Sequence, residues 1–233
     1  MAALHFSFDR IAPVYDFLGY LAFGDRLQQA QKHFLSAIPP NSHVLVIGGG
    51  SGKIVLDLLD QAAFRQLTYV EASAVMLRQA KKKIADYRQT NSKDSLANII
   101  FINGTERDIA SSERYQVVIT NFVLDMYEGD ALDRMMQRID TLLLLDTYWL
   151  FTDFRYSLQS AKRWWQRPLT GLMYLFFKIT ANIRVQSLPN YDAHFERLGW
   201  TAEQQHSFFG DFITSRIYRR TTELTQDDSS SDS

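Results

Sequence analysis

Directly after the apolar run His43-Val44-Leu45-Val46-Ile47 the chain reads Gly48-Gly49-Gly50-Ser51-Gly52. Glycines there let a ligand approach the main chain closely, and the helix that follows offers N–H groups without partners. Three nucleotide-binding patterns use such a turn. The dinucleotide fingerprint needs a glycine where Lys53 stands, so it fails. The phosphate-binding loop needs a hydroxyl where Ile54 stands and a glycine where Ile47 stands, so it fails too. What remains is G-x-G-x-G, carried by Gly48, Gly50 and Gly52. Glu71 follows by about the 20 residues a strand–helix–strand unit requires, which favours ligand contact over a solvated strand end. Further on, Asp125 is either a plain helix cap or a proton acceptor.

These residues need elements to hold them. Leu27, Ala30, Phe34, Leu35 and Ile38 recur at helical spacing from about Asp25, and Pro39-Pro40-Asn41 closes that segment. The run 43–47 predicts a buried strand, and Ile54, Val55, Leu58, Leu59 and Ala62 predict the helix after the glycines. Strands follow over 67–71, 98–103, 115–120 and 146–154. Helices centre on Leu77, Ala80, Ile84 and Tyr87, and on Leu132, Met135, Met136, Ile139, Leu142 and Leu143. Strands alternating with helices mean a mostly parallel sheet. A short helix over 192–198 and two strands, 199–206 and 212–219, form a closing hairpin. Residues 157–184 are helical and rich in aromatics, and residues 221–233, ending DDSSSDS, read as an acidic flexible tail.

Composition narrows the chemistry. The 233 residues carry 25 Lys plus Arg against 26 Asp plus Glu, a formal charge of −1, so no basic field exists to hold nucleic acid. Cysteine is absent, which removes disulfides, thiolate metal sites and a Cys nucleophile. The five histidines have no metal-ligand spacing, and Lys81, Lys82 and Lys83 read as a solvated helix face. MAALHFSFDR does not read as a signal peptide, and no apolar run reaches the ~18 residues of a membrane span, so the expectation is cytoplasmic.

Taken in order, these segments resemble the class I S-adenosylmethionine-dependent methyltransferases. Val44 to Gly52 is similar to their first motif, and Tyr69-Val70-Glu71-Ala72-Ser73 to the acidic end of their second strand. Asn103-Gly104-Thr105 resembles the loop beside the adenine. Tyr115 to Leu124 resembles the fourth strand and the loop under the cofactor's methionine part. Phe8 to Asp16 is similar to the N-terminal lid of the quinone-biosynthesis C-methyltransferases. Two positions depart from the pattern: an acidic residue is usual where Val46 stands, and Asp where Thr105 stands, with Glu106 adjacent.

The resemblance implies a Rossmann-like three-layer α/β/α sandwich with a seven-stranded sheet in the order 3-2-1-4-5-7-6, the last strand antiparallel. It implies S-adenosylmethionine as cofactor, held by Tyr15, Gly48, Gly49, Gly50, Glu71, Ala72, Met76, Gly104, Thr105, Asn121, Phe122 and Val123. The expected organisation is one domain over 1–220, with a helical lid over 1–40 and a helical cap over 155–198. The expected function is methyl transfer to a small apolar or aromatic acceptor, with Asp125 as first choice for proton acceptor and Tyr127, Asp153 and Arg155 near the mouth. Two other readings stand beside it: a non-catalytic S-adenosylmethionine-binding module, and a peripheral membrane protein attached through 157–184. A homodimer is compatible with all three.

Overall fold

The computed structural model describes residues 24–91, 98–156 and 188–220, with single positions 164, 166 and 171 between them. Seven strands form one sheet: β1 (His43–Ile47), β2 (Gln66–Glu71), β3 (Asn98–Asn103), β4 (Tyr115–Asn121), β5 (Leu143–Phe154), β6 (Trp200–Phe208) and β7 (Ile213–Arg220). Their order is β3-β2-β1-β4-β5-β7-β6. Strands β1 to β5 pair in parallel, and β7 runs antiparallel to both β5 and β6. The expected topology is therefore present, with β7 as the reversed strand. Order reverses beside β1, whose neighbours β2 and β4 lead away in opposite directions. In such sheets a crevice opens there, outside the carboxyl ends of the strands.

The helices follow from apolar spacing. In α2 (Lys53–Gln61), Ile54, Val55 and Leu58 are buried; in α3 (Ala74–Thr90), Met76, Leu77, Ala80 and Ile84. Both pack on one sheet face with Val44, Val46, Leu67 and Tyr69. On the opposite face α4 (Gly129–Asp140) buries Leu132, Met135, Met136 and Ile139, and α5 (Tyr191–Arg197) buries Tyr191 and Phe195. These pack with Leu45, Ile47, Val118, Trp149 and Phe151. Trp149, fully buried, meets Phe195 and Trp200 edge-on and donates from Nε1 to the Thr120 hydroxyl at 2.9 Å.

Two helix ends differ from expectation. The helix from about Asp25 is α1 (Arg26–Lys32) only, and a 3₁₀ turn (Leu35–Ala37) replaces its last predicted turn. Ile38 is extended, at φ −66° and ψ 121°, because Pro39 disfavours helical torsions in the residue before it. Leu142 and Leu143 lie outside α4: the chain turns at Thr141, and Leu143 begins β5. Leu144 and Leu145 follow, 38% and 68% exposed, before Asp146 takes a positive φ of 57° and the strand re-enters register with β4. Tyr15 with the rest of 1–23, the acidic tail, and most of the aromatic segment 157–184 fall outside the described residues. Among the described residues no helix is long and apolar enough to cross a membrane.

Candidate active site

The glycine turn joins β1 to α2. Gly48, Gly50 and Gly52 have φ of 66°, 64° and 88°, where glycine alone is at ease. Three of the four glycines also have a packing reason to lack a side chain. A Cβ on Gly48 would overlap Val123, one on Gly49 the Tyr69 ring, and one on Gly52 would come within 2.7 Å of Ala80 Cα. Gly50 is different: a Cβ there meets no protein atom within 4 Å. Open space lies over Gly50 at the switch point, where a ligand would be cradled.

Gly50 is also clamped. Its N–H donates to Glu71 Oε2 at 2.8 Å, and its carbonyl accepts from the Tyr69 hydroxyl at 2.7 Å. Tyr69 and Glu71 stand two apart on β2 and so share a face. Glu71 Oε1 accepts the Ser73 N–H at 2.7 Å, and the residue is 6% exposed. A carboxylate accepts up to about four hydrogen bonds, so holding the loop and accepting ribose hydroxyls are compatible roles. Ser73 caps α3 by accepting the Met76 N–H, and Met76 is buried. Asn103 Nδ2 donates to the carbonyls of Glu71 and Ala72 at 2.9 and 3.1 Å, which ties the end of β3 to the end of β2. Past it, Gly104 packs on Asp108, and the Thr105 N–H donates to Asp108 Oδ2 at 2.7 Å. Glu106, beside Thr105, is buried and ion-paired with Arg107 at 3.3 Å. Val46 is 2% exposed and packs in the apolar core under α2 and α3.

After β4 the chain turns sharply. Phe122 holds a positive φ of 54°, a strained setting for a bulky residue, and Val123 seals the back of Gly48. Asn121 Nδ2 is buried without a hydrogen-bond partner. An orphaned donor at the switch point is a group that a ligand could satisfy.

Asp125 is not a helix cap. It sits inside a 3₁₀ turn (Leu124–Met126) whose own cap is Val123, and α4 is capped at Glu128. Its backbone N–H donates to Asp153 Oδ2 at 3.2 Å, while Asp153 Oδ1 accepts the Phe154 N–H at 2.8 Å. Asp125 is 3% exposed, Asp153 fully buried, and Asp125 Oδ1 has no partner. Arg155, expected near this mouth, pairs with Asp192 at 3.1 Å. Burial pushes the Asp125 carboxyl up to about 7. Burial, reinforced by the Asp125 charge, raises Asp153 well above the usual carboxylate range. Two buried carboxyls this close cannot both ionise at neutral pH, so the pair holds a proton. Burial pushes Tyr127 up to about 12, which leaves it a proton donor rather than a base.

The structure thus gathers Gly48, Gly49, Gly50, Glu71, Ala72, Gly104, Thr105, Asn121, Phe122, Val123 and Asp125 at the carboxyl ends of β1 to β4, with Met76 in the first turn of α3. Sequence reasoning missed the Tyr69 clamp, although the two-residue spacing to Glu71 was a signal for it. It placed Asp153 near the mouth with Asp125, but not the contact between them, which the β4–β5 register, Asn121 opposite Thr152, creates.

The comparisons with known proteins agree with this geometry. A family model described as a methyltransferase domain matches residues 44–144, from β1 into the start of β5. A polyamine aminopropyltransferase of Sulfolobus acidocaldarius is 25% identical over 85 residues, 36% of this chain, and the match spans 28% of that relative's length. The N-methyltransferase NodS from Bradyrhizobium japonicum WM9, solved with S-adenosyl-L-homocysteine, superposes with a TM-score of 0.65 at 13% identity, covering 94% of this chain and 100% of that one. The 1,6-didemethyltoxoflavin-N1-methyltransferase of Burkholderia thailandensis gives 0.57 at 16% identity, covering 95% and 92%. Glycine turn and acidic second strand coincide within residues 44–144, the part of the chain that matches the methyltransferase-domain model, and the chain as a whole, sheet order included, has the fold of these solved methyltransferases.

Proposed function

We propose that this protein transfers a methyl group from S-adenosylmethionine to a small apolar or ring-shaped acceptor. The observation that carries the proposal is the open space over Gly50, bounded by the buried Glu71 carboxylate at the switch point. Glu71 accepts the ribose hydroxyls, and the backbone of Gly48 to Gly50 lies against the ligand. Gly104, Thr105, Ala72 and Met76 flank the adenine side. Asn121, Phe122 and Val123 lie under the methionine part. When bound, S-adenosylmethionine supplies a methyl group on a sulfonium, whose departure as a neutral thioether needs no strong acid. The protein's tasks are to align the nucleophile and to take its proton. The Asp125–Asp153 pair is suited to the second task, because a carboxyl raised to about 7 accepts a proton far better at neutral pH than an ordinary one.

Two expectations arise here. Gly50→Ala meets no neighbour and costs only the left-handed torsion, roughly 1–2 kcal/mol. It should therefore fold and lose about tenfold or more in affinity for S-adenosylhomocysteine by calorimetry. Gly52→Ala, pressed on Ala80, should lose stability more heavily. Tyr15 lies outside the described residues, and only the resemblance brings it to the cofactor. Hydrogen exchange over residues 8–20 should slow at saturating S-adenosylhomocysteine, and equal exchange with and without it removes Tyr15 from the site.

The proposal as a whole is tested by incubating the full chain with S-adenosylmethionine and mixtures of small aromatic compounds, and following S-adenosylhomocysteine by mass spectrometry. Acceptor-dependent product is the expected result. Tight S-adenosylhomocysteine binding without product from any mixture points to the non-catalytic binding reading.

A further inference from the structure

On the sheet face covered by α4 and α5, the carboxyl end of β5 opens into a cavity of about 480 Å³. Phe151, Thr214 and Arg216 line it from the sheet, Tyr191 and Asp192 from α5, and Arg155 from the end of β5. Across the β5–β7 pairing Asp153 lies opposite Thr214 and Phe151 opposite Arg216. Residues opposite one another on paired strands project from the same face. Thr214 and Arg216 therefore continue the polar row that begins at Asp125 and Asp153.

Charge and orphaned donors single out this row. Two guanidinium groups share one carboxylate: Arg155 Nη2 reaches Asp192 Oδ2 at 3.1 Å, and Arg216 Nη1 donates to Asp192 Oδ1 and, at 2.6 Å, to the Tyr218 hydroxyl. Glu196, the other acidic residue of the lining, is exposed at the rim. The inner cavity is thus left with one positive charge in excess. Arg216 is 5% exposed, and its Nε–H is buried without a partner; the Thr214 hydroxyl, 1% exposed, has none either. Buried donors without acceptors are costly, most of all on a charged group. A planar carboxylate is the ligand group that answers a guanidinium N–H and a neighbouring hydroxyl together.

Resting on the methyl-transfer reading above, we infer that the acceptor carries a carboxylate, received by Arg216 and Thr214 with Arg155 at the mouth, and presents its reacting atom towards the Asp125–Asp153 pair. Arg155, Thr214 and Arg216 then determine specificity without taking part in proton transfer.

The test titrates the full chain with 2-naphthoate and with 2-naphthamide, which share the ring and differ in charge, by ligand-observed NMR and calorimetry. Naphthoate should bind about tenfold or more tightly than the amide, and Arg216→Met should abolish the difference. Because Arg216 is buried, Arg155→Met, at a half-exposed position, is measured beside it; it should weaken naphthoate severalfold and leave the amide unchanged. Equal binding of the two probes, absence of naphthoate binding at millimolar concentration, or indifference to both substitutions overturns the inference and leaves Arg216–Asp192 as a tether of α5 to β7. S-adenosylhomocysteine titrated in parallel separates the two readings. Its binding with no preference for naphthoate rejects the carboxylate site alone. A naphthoate preference without it rejects the methyl-transfer reading alone.

Discussion

Glu71→Ala is expected to weaken S-adenosylhomocysteine binding by about 10²–10⁴-fold while leaving the chain folded. Two ribose hydroxyls donating to a carboxylate contribute roughly 1.5–3 kcal/mol each, together about 3–6 kcal/mol. The alanine also releases the Gly50 and Ser73 N–H groups, held at 2.8 and 2.7 Å, so the turn loses its clamp. Stability should fall by about 1–3 kcal/mol for each of the two backbone donors that lose a partner, the Ser73 N–H being buried. Glu71→Gln retains one acceptor oxygen and should fall between the parent and the alanine variant. Calorimetry on all three proteins, with thermal unfolding as the check on folding, measures the effect. A dissociation constant unchanged in Glu71→Ala means that the ligand does not lie on this carboxylate.

Asp125→Asn is expected to lower turnover by about 10²–10⁴-fold on whichever acceptor supports the reaction, with the affinity for S-adenosylhomocysteine unchanged. The base must lose its proton to act, so the parent's rate should rise with pH through an apparent value of about 7, and the Asn variant should lack that limb. Stability supplies an independent readout that needs no acceptor. A carboxyl raised in the folded state binds its proton more tightly there than in the unfolded chain. Its contribution is therefore complete below the ordinary carboxylate value, ~4, and is lost as pH climbs through the raised one. The parent should lose melting temperature between about pH 5 and pH 8. Asp125→Asn, which removes one of two facing charges, should flatten that slope and be the more stable protein at pH 8. A flattened slope with turnover within about threefold of the parent would make the pair a structural feature and place the base elsewhere.

Much of this architecture is legible in the chain because its central strands are buried on both faces. The runs 43–47 and 115–121 are short, apolar and bounded by turn residues, which is how parallel strands under helices look. The glycine turn is equally plain, since four glycines within five residues serve no ordinary helix or strand. Periodicity fails where neighbouring chemistry decides the outcome. Pro39 holds Ile38 out of helical torsions, and at Leu142 the helical period runs on into residues that the sheet recruits for β5. The acid pair was half legible: Asp125 stands after a recognisable loop, but its partner is 28 residues away and is set by strand register. The raised proton affinity of Asp125 comes from burial, which no local pattern in the sequence records.

The most direct measurement is a crystal of the full chain soaked with S-adenosylhomocysteine. The account predicts density in the open space over Gly50, with both ribose hydroxyls within hydrogen-bond distance of the Glu71 carboxylate and the homocysteine portion over Asn121 to Val123. Density elsewhere, or an empty glycine turn at a concentration that saturates binding in solution, would contradict it.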